Sequence, residues 1–410
     1  MKTTIEILAI LVIGYASASA QVAPAAKGPG GIPVSGNVHY AFRYSQTAEL
    51  GATLGDWQTS NASASFDYAN VSKQLPFTME YSGGYTWTIS GPTYSTGQFQ
   101  HLLLSQGIHW RKWAVNFMDG VSYRPQIPTT SFSGIPGIGD PIGGPGTLPP
   151  SSESILAVGT HVVYNSASGQ IEHELNYATR LTVGGGSDLL RYPDGVGLNT
   201  NSLMANAVVT HRLGARDSLS ETYSFSQFSY TGYSLTFFTH TGLLGFKREW
   251  TRKVTTDFAV GPQWTGSSDG KIVPSSTGVA ANATIDYLLR TGSAGLTYNR
   301  GVIGGSGYMF GAHMDDVSAT FTREFGRSLN VGAEGSYRRT TRLQSNGVID
   351  SKVGGVEARR RLGRYLTAFA NYEVMDQSLS STISKGALNG LIHVIGFGIE
   401  YSPREKHIRP

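Results

Sequence analysis

The chain carries ten histidines and no cysteine, which limits its chemistry at the outset. Without a thiol there is no thiolate nucleophile, and an exported chain has no disulfide scaffold to rely on. His101 and His109 are close in sequence, but their spacing along one strand separates them by roughly 26 Å. They cannot share an ion. His101, His161, His173, His211 and His240 are the positions where a hydrolytic site would find its base. An interfacial or interior-lining role is the reading the sequence favours for each. G-x-S-x-G, H-E-x-x-H and the P-loop are absent. The expectation is no enzyme, no cofactor and no metal.

The charged residues are more informative because they are scarce. They make up 15% of the chain, against about 25% in an average soluble protein. Those that alternate with apolar residues along extended segments are Arg43, Glu80, Glu172, Glu174, Arg180, Asp257, Asp286, Glu334, Arg338, Arg359, Glu373 and Glu400. If the apolar face of each segment points to lipid, all of these point inward. Both signs occur, which suits a polar pore with a mixed field. Cross-strand Glu–Arg pairing that simply fills the interior is the competing account. For the cluster Glu334, Arg338, Glu357, Arg359, Glu373 and Glu400, on the last four strands, pairing is the preferred reading. Gly354-Gly355 leaves open a bulge that would decide whether Val356 or Glu357 faces lipid.

The elements that must position these charges are strands. Val38, Tyr40, Phe42 and Tyr44 alternate with His39, Ala41 and Arg43; Phe397, Ile399 and Tyr401 alternate with Gly398 and Glu400. Period-two alternation gives each strand two different faces. Eighteen such segments fit between 36 and 402, among them 36–47, 153–165, 170–182, 348–361 and 389–402; sixteen strands is the alternative. Tilted strands of about 9–11 residues suffice to cross a bilayer. Polar strand positions are mostly Ser, Thr, Asn, Gly and Gln, and aromatics gather near strand ends, including Tyr164 and Tyr401. Both features favour lipid over water on the apolar face.

Connections alternate in length. The even ones are short, such as Ser166–Gly169, Gly214–Arg216 and Gly363, and the odd ones are long. The longest, Pro125–Ser152, is rich in Pro and Gly and holds one charge, Asp140, so a charge-selective constriction from it alone is not expected. TREFGRSL, RRRLGRYL and THRLGARDSL recur in short turns, where glycine is expected to supply a positive φ. Residues 1–20 carry an apolar run and end in Ala18-Ser19-Ala20, a cleavable signal peptide. Residues 21–35 then form a flexible periplasmic segment, 36–402 the barrel, and 403–410 a periplasmic extension.

On these features the chain resembles Gram-negative outer-membrane β-barrel proteins of porin-like size. The resemblance rests on architecture, ending in an aromatic last strand at Tyr401, after which SPREKHIRP departs from the usual terminus. It implies an all-β, transmembrane, antiparallel up-and-down barrel with both termini periplasmic and long loops outside. The function expected is an outer-membrane channel for passive or weakly selective diffusion of small hydrophilic solutes. A barrel for exopolysaccharide export or binding, and a structural or adhesive surface barrel, are the alternatives. Partners are outer-membrane lipid and the solute or polysaccharide; a net charge of +4 and a signal peptide argue against nucleic acid.

Overall fold

The structure, a computed structural model, describes residues 36–51, 55–70, 72–91, 96–126, 160–195, 197–305, 307–344, 347–380, 389–404 and 406–408. The expected signal peptide, the N-terminal segment and the part of the longest loop from 127 onward lie outside the described residues.

Alternating sequence becomes strand almost everywhere. The strands are β1 (Gly36–Gly51), β2 (Trp57–Asn70), β3 (Phe77–Ser90), β4 (Gly97–His109), β5 (Trp113–Gln126), β6 (Thr160–Glu174), β7 (Thr179–Arg191), β8 (Thr200–Arg212) and β9 (Asp217–Tyr230). They continue as β10 (Thr236–Glu249), β11 (Val254–Ser267), β12 (Ser276–Leu289), β13 (Gly292–Ile303), β14 (Ala312–Phe325), β15 (Leu329–Arg342), β16 (Val348–Arg361), β17 (Leu366–Leu379) and β18 (Gly390–Tyr401). Each pairs antiparallel with its sequence neighbours, and β1 pairs with β18 from Phe42↔Tyr401 to Gly51↔Ile392. The sheet therefore closes into an eighteen-strand barrel and leaves no long open edge. A short β19 (Lys406–Ile408) in the C-terminal extension adds to the start of β1.

Closure gives the two faces different surroundings. One parity carries exposed apolar side chains: Phe42, Phe117, Leu203, Val260, Val356 and Phe397. The other carries buried polar ones: Arg43, Thr239, Gln263, Glu357 and Glu373. The first face is the outside of the barrel and the second is the inside. Polar exceptions outside pair with each other, as Asp119 does with Asn165 (2.8 Å) and Arg300 with Asp315 (3.4 Å). Tyr164 departs from the expected outer girdle. It shares parity with Ser166 and is buried inside the barrel.

Two expectations need correction. The sixth and seventh strands run nine residues further along the chain than 153–165 and 170–182. Ser166–Gly169 is mid-strand, paired with both β5 and β7. The turn is instead at 175–178, where Asn176 Oδ1 accepts from the N–H groups of Ala178 (2.8 Å) and Thr179 (2.9 Å). Small residues suggest a turn only when no side chain nearby makes a better one. Of the three recurring turn glycines, Gly326 alone has a positive φ (67°). At Gly214 and Gly363 two successive N–H groups converge on one carbonyl, of Asp217 and of Leu366 respectively. That loop does not require a left-handed residue.

Gly354-Gly355 forms no bulge. β16 stays in unbroken register with β15 and β17 across both glycines. Val356 faces out and Glu357 in.

Candidate functional site

Every interior charge expected from the sequence has inward parity: Arg43, Glu80, Glu172, Glu174, Arg180, Asp257, Asp286, Glu334, Arg338, Arg359, Glu373 and Glu400. They do not form one site. Glu172 and Glu174 sit on β6 and Arg180 on β7, facing across the hairpin at 3.4 and 3.8 Å. Arg338 leaves the expected cluster and pairs with Asp316 on β14, Nε to Oδ1 at 2.9 Å. Arg359 bonds Glu357 and lies 4.0 Å from Glu400. Pairing thus accounts for Arg338 on β15 and Arg359 on β16.

Three of the remaining carboxylates, Glu334, Glu373 and Asp286, share a row with Glu49. Glu49, Val394, Glu373, Gly355 and Glu334 occupy one hydrogen-bonded row across β1, β18, β17, β16 and β15. The row continues through Thr320 and Gly295 to Asp286. Acids alternate with uncharged residues from Glu49 to Glu334, and Thr320 and Gly295 separate Glu334 from Asp286. Glu49 and Glu373 are buried, and neither carboxylate oxygen of Glu373 has a hydrogen-bond partner among the described residues. Glu49 was not a sequence candidate because β1 was expected to end at 47; it runs on to Gly51.

A second polar feature lies near the end that carries the short turns. His39, Ala41 and Arg43 from β1, Ser63, Ser65 and Asp67 from β2, and Glu400 from β18 surround a recess of about 120 Å³. His39 Nδ1 donates to Asp67 Oδ2 (3.1 Å), and Nε2 accepts from the Ser402 hydroxyl (2.8 Å). The tautomer is the one the network requires. The order Asp–His–Ser is that of a hydrolytic relay, but a relay also needs donors for the developing oxyanion. The Ser402 N–H is committed to the Tyr365 carbonyl (2.8 Å). The trio acts as a clasp across the seam where β1 meets β18. Arg43 faces Glu400 directly in register, yet its guanidinium lies over the Phe369 ring, 3.8 Å from the centroid.

At the opposite end, the connection 304–311 turns into the barrel mouth. Tyr308 and Met309 pack with Val162 and Tyr164 of β6, Leu190 of β7 and Tyr192, and the same cluster reaches Ile349 on β16. Leu198 N–H bonds Gly307 O (2.7 Å), and Tyr230 O–H bonds Gly304 O (2.8 Å). Phe310 joins a second cluster with Phe228, Tyr230, Phe237 and Val273. Apolar side chains thus narrow the mouth. The signal available in the sequence was Tyr-Met-Phe between glycines, in GGSGYMFG.

The single histidines lie mainly on the outer face among aromatics. His173 stacks on Trp113, His240 bonds Tyr223 and packs on Trp264, and His211 bonds Thr179. His161 stacks on Tyr123 and bonds Asp194 (2.8 Å). Partial burial alone raises the Asp194 carboxyl, but two hydrogen bonds from His161 and its charge hold it below the usual carboxylate range. His101 faces inward. Among the described residues, no His, Asp and Glu group is arranged to hold a metal ion.

No family model matches the chain, and no curated protein does. Solved structures do. Pseudomonas aeruginosa OccK2 (OpdF) aligns over 92% of this chain and 98% of its own, with TM-score 0.51 and 10% identity. Acinetobacter baumannii OccAB4 aligns over 91% and 99%, with TM-score 0.47 and 8% identity. A structure of OccK2 in complex with glucuronate aligns over 90% and 98%, with TM-score 0.49 and 9% identity. At such identity the first of these supports the barrel fold.

Proposed function

We propose that the chain is an outer-membrane channel of a Gram-negative cell, through which small hydrophilic solutes diffuse passively or with weak selectivity. Eighteen strands enclose an interior wide enough for water unless it is filled. The observation that carries the reading is the division of the wall. Exposed apolar residues occupy the outer face, and Ser, Thr, Gln and charges of both signs occupy the inner one. A soluble barrel has no reason to put its apolar face outside. On this reading the short turns and both barrel termini are periplasmic, and the long connections face the exterior. The solute enters past Tyr192, Tyr308 and Met309, runs along the acid row, and leaves beside the Arg43 recess. No cofactor is required.

Purified, folded protein in a planar lipid bilayer tests this. Stepwise current increases are expected. Absence of current from protein that migrates as a folded barrel would overturn the channel.

A further inference from the structure

We infer that an arc of arginines on three neighbouring short turns holds the headgroups of anionic phospholipids. The inference goes beyond the solute channel and rests on the reading that the apolar outer wall lies in a bilayer. The turns are those joining β12 to β13, β14 to β15 and β16 to β17, and the sheet sets them side by side. The Glu324 N–H bonds Thr291 O (2.7 Å), and the Arg361 N–H bonds Ser328 O (2.8 Å). Together they carry Arg290, Arg323, Arg327, Arg360, Arg361 and Arg364, all exposed. None of the six makes an ion pair among the described residues. The one acid in these turns is Glu324, and it has inward parity because Phe321 and Phe325 face out. The other end of the same strands differs. There Arg300 pairs with Asp315 (3.4 Å), Arg339 with Asp350 (4.0 Å) and Lys352 with Asp376 (3.5 Å). These cations have their acids within the chain, and the six at the short turns do not.

Two further observations say what the arc would hold. Every cation in it is arginine, whose planar fork takes two oxygens of a phosphate at once, where a lysine offers a point charge. The arc also borders the apolar wall directly. Leu296, Phe321, Val356 and Leu366, on the outer face of the same strands, are exposed. Arg323 lies over the Phe325 ring, 5.0 Å from its centroid, and Arg364 over the Tyr365 ring, at 5.2 Å. Cation–π contact ties each charge to an aromatic side chain of the kind that sits at headgroup depth. Guanidinium groups at the rim of an apolar wall match a phospholipid, phosphate against arginine and acyl chain against the wall. A soluble acidic partner would match the charge and leave the wall uncovered.

The test uses the full chain folded into phosphatidylcholine bilayers, with heat-modifiable migration as the check on folding. The chain has no cysteine, so A358C gives a single site for a fluorophore on the outer face beside Arg360. A205C, on the outer face of β8 away from the arc, carries the control label. Quenching by phosphatidylglycerol brominated in its acyl chains is compared with quenching by brominated phosphatidylcholine. At A358C the anionic lipid is expected to associate about fivefold more strongly, the effect of one basic group at an anionic surface. At A205C the two lipids are expected to quench equally. R360Q/R361Q/R364Q should abolish the preference at A358C. R323Q/R327Q, on the neighbouring turn, should reduce it, which covers the case of the triple variant failing to fold. Equal quenching at A358C in the parent overturns the arc, as does an equal preference at both labels or a preference that both variants retain. No lipid preference together with saturable binding of a polyglutamate peptide would assign the arc to an acidic soluble partner and overturn the lipid. The outcome is separate from that of the channel. Lipid preference without bilayer current overturns the channel and leaves the arc, and current without the preference does the reverse.

Discussion

At the scale of single residues, the mouth is set by a position with no side chain. Gly307 has φ 75°, and a Cβ there would lie 2.3 Å from the Tyr192 ring. A left-handed alanine costs about 1–2 kcal/mol before any clash. G307A is therefore expected to displace the 304–311 connection from the mouth. Equilibrium unfolding by urea in micelles should show a lower midpoint, and single channels should conduct more. If neither changes, the connection does not rest on Tyr192. Arg43 and Asp67 differ from the mouth residues in how they came to light. Arg43 was legible as an inward charge from alternation alone. Nothing in the sequence shows that its guanidinium passes over Phe369, more than three hundred residues away, instead of bridging Glu400.

At the scale of elements, the β6–β7 hairpin shows where pattern reading slips. Both Ser166–Gly169 and the segment at Asn176 look like turns, and period-two alternation runs through the first of them without complaint. Register decides, because Ser166 must sit opposite Gly120 and Asp188. The Asn176 turn is then worth measuring. N176A removes an acceptor shared by two N–H groups, and about 1 kcal/mol of stability is expected to go with it, read as a shift in the unfolding midpoint. No shift would mean the turn is held by its strands alone. The acid row makes a different prediction. The row ends at Asp286, which has inward parity and is exposed, so cations should pass more readily than anions. Under a salt gradient the reversal potential of D286N should move toward the unselective value. Glu221 lies on the outer face and is exposed, so E221Q should leave it unchanged. An equal change in both variants would take selectivity away from the row.

At the scale of the whole molecule, the defining contact joins the two ends of the chain. Ala48 and Ile395 face each other across the β1–β18 seam. Antiparallel partners lie about 4.5–5.5 Å apart, within disulfide reach. The chain has no cysteine of its own, so A48C/I395C introduces a single possible bridge. Oxidation of the folded protein should give a faster-migrating band on a denaturing gel, lost on reduction. Failure to cross-link in folded protein would mean that the barrel does not close at this seam.

The sequence by itself determined the strand period, the inward parity of the charges, the alternation of short and long connections, and hence an even antiparallel sheet. These are local properties, because each strand's two faces are written in successive residues. Tertiary structure alone decided three things: which inward charges pair, that Glu49, Glu373, Glu334 and Asp286 fall into one row, and that the 304–311 connection meets β6 and β7 across the mouth. Those depend on register and closure, which bring together residues hundreds of positions apart. Alternation constrains which face a residue takes, and says nothing about what stands opposite.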